Sequence, residues 1–308
     1  MNSHRFKIGP AVIAIETDAP SSLGPHPFYE PFRYQGSEPP HLTIRVRTDP
    51  TPDPGRLTLL GEFTNQWRLF DEGQRLRLEF YDQIKFQTKQ VILIDPEWSH
   101  ADFFPIPRED LPHLFRSGGS VAEVLTHFGP WWFTGWLALQ KKGMVFHGSA
   151  VLFKNKGVAF IGPSGAGKTA IARLCRDTGE AVVLNDERIL IWRSPLGWQV
   201  SGTPWTGMLF QVSPASIPLR YLCILNKANT NQFTPLPSLQ LLTHLIPEAY
   251  LPFWSPERMK GLVDSVARLT EEVSGGALHF LNDPSIVDYL KELLEIPKRR
   301  THPIFVKA

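Results

Sequence analysis

Eight consecutive residues, GPSGAGKT from Gly162 to Thr169, fit the spacing G-x-x-x-x-G-K-[ST]. Each residue type has a chemical reason to be there. Gly162, Gly165 and Gly167 let backbone N–H groups turn inward around phosphate oxygens, and the N-terminus of a following helix adds its dipole. Lys168 can reach β and γ phosphates, and Thr169 can place its hydroxyl on Mg²⁺. Pro163, Ser164 and Ala166 complete the loop and Ala170 continues into the helix, so residues 162 to 170 are the expected nucleotide contacts. Such a loop serves kinases, ATPases, GTPases and transporter components alike, so the flanking residues must decide.

Downstream, AVVLNDERILIW reads as a strand from Ala181 to Leu184, then Asn185, then the acid pair Asp186 and Glu187. At the end of a core strand beside a phosphate loop, one acid can hold Mg²⁺ directly or through water. The other can take a proton from an attacking hydroxyl. Residue types alone leave the two roles interchangeable. The expected metal ligands are Thr169 and Asp186, and the expected catalytic set is Asp186, Glu187, His147 and Lys168. His147 enters because its strand leads into the loop and its ring N–H can orient a carboxylate.

These residues need positioning elements, and the sequence supplies them. MVFHGSAVLF (Met144 to Phe153) alternates as a strand, KNKG turns, VAFI (Val158 to Ile161) is a second strand, and TAIARLCRDTG is a helix stopped at Gly179. Ahead of the hairpin, Ser120 with Glu123 forms a capping-box pattern. The helix it starts is expected to break at Gly129-Pro130, resume through Trp136 to Lys141 and end near Gly143. From Pro10 to about Pro107 the runs AVIAIE, HLTIRVR, LTLLGEF, QWRLF, RLRLEFYD and IKFQTKQVILID predict an antiparallel β-rich region. Arg75 and Arg77 are expected on its solvated face. A boundary within Pro107 to Ser120 divides the chain into 1–117 and 118–308.

Composition excludes more than it assigns. The chain has 308 residues, 42 % of them hydrophobic, with 32 basic and 30 acidic residues for a net charge of +2. That is enough for a sizeable core, and no overall field points to nucleic acid or an anionic membrane. Cys175 and Cys223 sit in apolar runs and read as small buried hydrophobes, which fits a cytoplasmic protein. The N-terminus lacks the basic start and long apolar core of a signal peptide. The aromatic stretch Phe128 to Gln140 is shorter than the roughly 20 apolar residues a membrane span needs. It reads as a buried inter-domain helix.

His147-Gly148, a hairpin, GPSGAGKT, one short helix and Asp186-Glu187 resemble the catalytic domain of HPr kinase/phosphorylase, a phosphoenolpyruvate-carboxykinase-like phosphate-loop enzyme. The resemblance spans about residues 120 to 290 and closes with LHFLNDPSIVDYL. SGTPWTG, Ser201 to Gly207, is similar to the branch that includes serine kinases of lasso-peptide precursors. The resemblance implies a mixed α and β fold, with the β-rich N-terminal region packed on a phosphoenolpyruvate-carboxykinase-like kinase domain. It also implies ATP and Mg²⁺ as cofactors, a serine hydroxyl of a protein or peptide as acceptor, and an oligomer as possible because the bifunctional relatives form hexamers. Asp186 matches the first acid of the family pair, and Glu187 stands where a second aspartate usually stands. Between Glu187 and Glu248 the chain has no Asp or Glu. The bifunctional enzymes carry an acid in a later signature, so a kinase without phosphorylase activity is expected. The alternatives are a nucleotide-gated binding module and a kinase for a small hydroxylated metabolite.

Overall fold

The computed structural model describes residues 2–17, 27–63, 67–82, 87–104 and 121–295. The first unit is one sheet of β1 (Asn2–Ile8), β2 (Ala11–Thr17), β3 (Leu42–Val46), β4 (Thr58–Phe63), β5 (Trp67–Asp71), β6 (Leu76–Asp82), β7 (Gln87–Ile94) and β8 (His100–Phe104). Their spatial order is β1-β2-β3-β8-β7-β6-β5-β4. In β5 the period-2 pattern puts Trp67 and Leu69 inside. The sheet is not wholly antiparallel as the alternation predicts: β2–β3 and β3–β8 run parallel. Residues 18–41, between β2 and β3, are long enough for the crossover that a parallel pair requires. Arg77 also departs from expectation. It is buried, its Nε 2.5 Å from Glu79 Oε1 and its Nη1 donating to the Pro52 carbonyl at 3.2 Å, because the chain around Pro52 covers that face.

The second unit begins with α1 (Val121–Leu139), β9 (Gly143–Phe153), β10 (Lys156–Ile161), α2 (Lys168–Asp177), β11 (Val182–Asn185), β12 (Arg188–Ser194) and β13 (Gly197–Ser201). It continues through β14 (Ser216–Lys227), β15 (Gln232–Pro235), α3 (Ser238–Leu245), α4 (Pro256–Glu272), β16 (Ser274–Phe280) and α5 (Ser285–Glu295). The main path is β10-β9-β12-β13-β14-β16-β15, and a further β10–β14 pairing closes five of these strands into a ring. β10, β14 and β16 are parallel, so their carboxyl ends share one edge. Ile171 and Cys175 of α2 and Ile286 and Leu290 of α5 pack with Phe160 and Phe280 in one core. Leu241 of α3 and Leu262, Val266 and Leu269 of α4 pack with Met144, Ile189 and Leu222 in another. Each such fully buried aliphatic side chain stabilises the fold by about 1.5–3 kcal/mol relative to exposure.

The fold is therefore mixed α and β, with two extensive sheets. α1 bridges them: its Trp132, Phe133 and Leu137 enter the core of the first sheet, while its Ala138 belongs to that of the second. Contrary to the expected break, the helix is continuous through Pro130. Tertiary packing overrides the cost of the missing N–H, since the helix is clasped on both sides and a Cβ on Gly129 would lie 2.8 Å from the Trp205 ring. The helix ends before Gly143, with Lys141 at φ 50 taking the left-handed position. The boundary segment and Ser120 lie outside the described residues, as do residues 296–308. Both cysteines are free and buried, and burial pushes the Cys175 thiol up to about 12. Among the described residues no helix is long and apolar enough to cross a membrane.

Candidate active site

β10 delivers the phosphate loop to the carboxyl edge of the parallel strands, where open α/β sheets bind ligands. Gly167 precedes α2 at φ 107, and a Cβ there would lie 2.6 Å from the Phe280 ring, so only glycine fits both the turn and the neighbour. The loop holds itself together. Ala166 N–H donates to the Pro163 carbonyl at 3.1 Å, and Ile171 N–H to the Gly167 carbonyl at 2.9 Å. Lys168 is buried, and its Nζ donates to the carbonyls of Gly162 and Pro163 at 2.6 and 3.0 Å. Pro163, Ser164 and Gly165 are exposed, and Ala166, Thr169 and Ala170 are half-buried. The first amides of α2 have no acceptor within the helix, which is the arrangement that receives a phosphate. Burial lowers the Lys168 pKa, and the carboxylates of Glu248 and Glu187 act in the opposite direction.

The acid pair is placed by a single edge of β9. β11 and β12 follow that edge, and after a register shift between Val183 and Asn185 the pairing runs in step, with Asn185 opposite Ala150 and Arg188 opposite His147. Asp186 and Glu187 lie between them, and the ladder persists through Gly148 N–H to the Glu187 carbonyl at 3.0 Å. Asn185 shapes this step. Its Oδ1 accepts from the N–H groups of Glu187 and Arg188 at 2.8 and 2.9 Å, and its Nδ2 donates to the Thr203 carbonyl at 2.9 Å. An Asn side chain that captures amides two and three residues on fixes a local turn.

That turn sends the two acids to different environments. Asp186 is fully buried, and its oxygens accept from the N–H groups of Gly207 and Leu209 at 3.2 and 3.0 Å. The Gly207 backbone sits so close that a Cβ would lie 2.8 Å from the Glu187 Cβ. Glu187 instead keeps 34 % of its side chain exposed, with Oε1 3.7 Å from His147 Nε2. On the opposite ring nitrogen, His147 Nδ1 lies 3.2 Å from Glu248 Oε2. Two carboxylates flanking one imidazole can pass a proton between them.

Glu248 was not among the expected residues. It reaches His147 because Ala249 bridges Phe146 and Tyr250 N–H donates to the Val145 carbonyl at 3.1 Å, laying this segment against β9. Arg188 Nε donates to the Tyr250 hydroxyl at 2.7 Å, and burial raises the pKa of that hydroxyl. The only signal in the sequence is that Glu248 ends the acid-free run after Glu187.

Phosphates of a nucleotide would be held here by Lys168 and the unpaired amides at the start of α2. Mg²⁺ keeps several waters and is held through one or two carboxylates plus substrate phosphates. Thr169 offers a hydroxyl at the first turn of α2, but Asp186, expected beside it, commits both oxygens to amides inside the fold. Among the described residues no cluster of three His, Cys, Asp or Glu side chains could hold a metal ion. The ion therefore fits here as a companion of bound phosphates rather than in a protein cage.

The first unit grips both segments that face the loop. Trp205 Nε1 donates to the Tyr29 hydroxyl at 3.0 Å, and Phe28 stacks on Phe210 with ring centroids 6.2 Å apart. Trp254 stacks on Trp98 at 4.8 Å, and the Arg258 guanidinium lies over the Trp98 ring at 5.0 Å. In comparisons with known proteins, no family model and no curated protein matches this chain.

Proposed function

We propose that this chain is an ATP-dependent phosphotransferase that moves the γ-phosphoryl group to a serine hydroxyl of a protein or peptide. On this reading its second unit is a kinase domain of the phosphoenolpyruvate-carboxykinase-like phosphate-loop kind. The observation that carries the proposal is the convergence of Glu187 and Glu248 on His147, both within electrostatic reach of Lys168 of the loop. A site that only binds a nucleotide has no use for a solvent-reaching carboxylate backed by an imidazole.

The loop amides and Lys168 hold the phosphates in line, and Thr169 would hold Mg²⁺ beside them, where the ion supplies charge neutralisation. The acceptor oxygen attacks the γ-phosphorus as the bond to the β-phosphate oxygen breaks, and ADP leaves. The hydroxyl proton goes to Glu187, the pair member with access to solvent. His147 can then relay it toward Glu248. Asp186 acts from inside, pinning the backbone at Gly207 and Leu209.

The test is ATP turnover with Mg²⁺ and a cell extract as acceptor source, followed by intact-mass analysis of what gains phosphate. Glu187→Gln should slow transfer by about 10²–10⁴-fold while nucleotide still binds. Lys168→Ala should lose nucleotide binding itself. Transfer at the wild-type rate in Glu187→Gln would overturn the proposal. Tight ATP binding with no phosphorylated product would assign the site to a nucleotide-gated binding module.

A further inference from the structure

The two flanks of the phosphate loop carry opposite charges. On the β9 side stand Glu187, His147 and Glu248. On the β14 side stands Lys227. β10 ends at Ile161, paired with Ile224, and β14 continues for three more residues, about 10 Å of extended chain. This overshoot raises the end of β14 alongside the loop, so that Lys227 sits at the level of Gly167. Its Cε lies 3.6 Å from the position a Cβ would take on Gly167, the residue immediately before Lys168.

Lys227 is fixed at its base and open at its tip. Its backbone pairs with Phe280 of β16, whose ring supports Gly167. Its side chain is exposed, and no hydrogen bond or ion pair to another described residue occupies its ammonium. A strongly hydrated cation on a flexible stem at the rim of a phosphate loop is suited to an anionic ligand of extended charge.

We infer that Lys227 is a second phosphate-binding cation, contacting the phosphate chain of the nucleotide from the β14 flank. This rests on the nucleotide reading of the loop and adds a residue that the loop motif does not contain.

The experiment is equilibrium titration of a fluorescent ATP analogue, with inorganic tripolyphosphate as competitor, on wild type and on Lys227→Met, Lys227→Ala and Lys227→Arg. Met keeps most of the stem and removes the charge, so it separates a phosphate contact from packing against Gly167. The expected result is an affinity loss of about tenfold for both the analogue and tripolyphosphate in Met and Ala, with Arg near wild type. Wild-type affinity in Lys227→Met overturns the inference while leaving the loop reading intact, provided Lys168→Ala abolishes binding in the same assay. Failure of the wild type to bind either ligand overturns both. The exposure of Lys227 makes loss of fold in these variants checkable against an unchanged melting temperature.

Discussion

The phosphate loop and the two segments that face it are held by opposite means. The bonds that shape the loop come mostly from within it or from the first turn of α2, with Lys168 reaching back only five and six residues and one bond arriving from β9, Ser149 Oγ to the Lys168 carbonyl at 3.0 Å. The facing segments are held from far away. Trp205 is tied to Tyr29 across 176 positions, and Arg258 to the Pro96 carbonyl across 162. The loop is thus shaped locally, whereas the segments that face it are held by distant partners in the N-terminal unit as well as by β9. That unit carries no catalytic motif, yet it forms part of the frame of the site.

The largest test of this contrast is Trp205→Ala. Removing a fully buried indole that meets Phe133, Gly129 and Tyr29 should cost about 3–5 kcal/mol of stability, read by denaturant unfolding. Nucleotide affinity of the protein that remains folded should change far less, because the loop does not lean on Trp205. Equal losses in both would show that the loop is not self-supporting.

Asp186→Asn comes next. Asn can offer one oxygen to Gly207 or Leu209 but turns an NH₂ toward the other amide, leaving a buried donor unsatisfied at a cost of about 1.5–3 kcal/mol. If Asp186 is a clamp, the unfolding free energy falls along with turnover. A variant of unchanged stability and abolished turnover would instead return Asp186 to the metal.

This division also explains what was legible in the sequence. The loop, the hairpin before it, the helix after it and the acid pair follow from consecutive residues, and they stand where the pattern puts them. β8 has only five residues and the parallel pairings of β2 and β3 depend on distant partners, so neither is marked by alternation. Arg77 looks solvated from its alternation, but the chain around Pro52 covers it. Pro130 predicts a break that aromatic packing overrides. Glu248 reaches the site through a bridge between Phe146 and Ala249, about a hundred residues apart. Asn185 is the exception among the missed residues, since an Asn just before an acid pair at a strand end is itself a turn signal.

A smaller effect is expected from Tyr29→Phe. The ring and its packing on Phe6 remain while the acceptor for Trp205 Nε1 is lost, so stability should fall by about 1 kcal/mol. Measured beside Trp205→Ala, it separates the hydrogen bond from the packing. A loss as large as that of Trp205→Ala would mean that one hydroxyl holds the segment in place.

The smallest effect is a slope rather than an offset, and it tests the loop side of the comparison. Burial holds the Lys168 pKa below its ordinary 10.5, although Glu248 and Glu187 oppose the shift. Between the folded and unfolded values, the unfolded chain binds a proton that the folded chain does not, so this residue makes stability rise with pH. The burden on the fold is fully present below the folded value and is relieved as pH rises through it toward 10.5. Lys168→Met also removes the bonds to Gly162 and Pro163, but that loss is a constant that does not bend with pH. The difference in unfolding free energy, wild type minus Lys168→Met, should therefore climb on the alkaline side and stay flat near neutrality. Glu187→Gln removes a carboxylate that raises the Lys168 pKa, so in that background the climb should begin at lower pH. A climb that stays in place would mean that Glu187 and Lys168 do not sense each other across the site, and the two flanks of the loop would then have to be treated as independent.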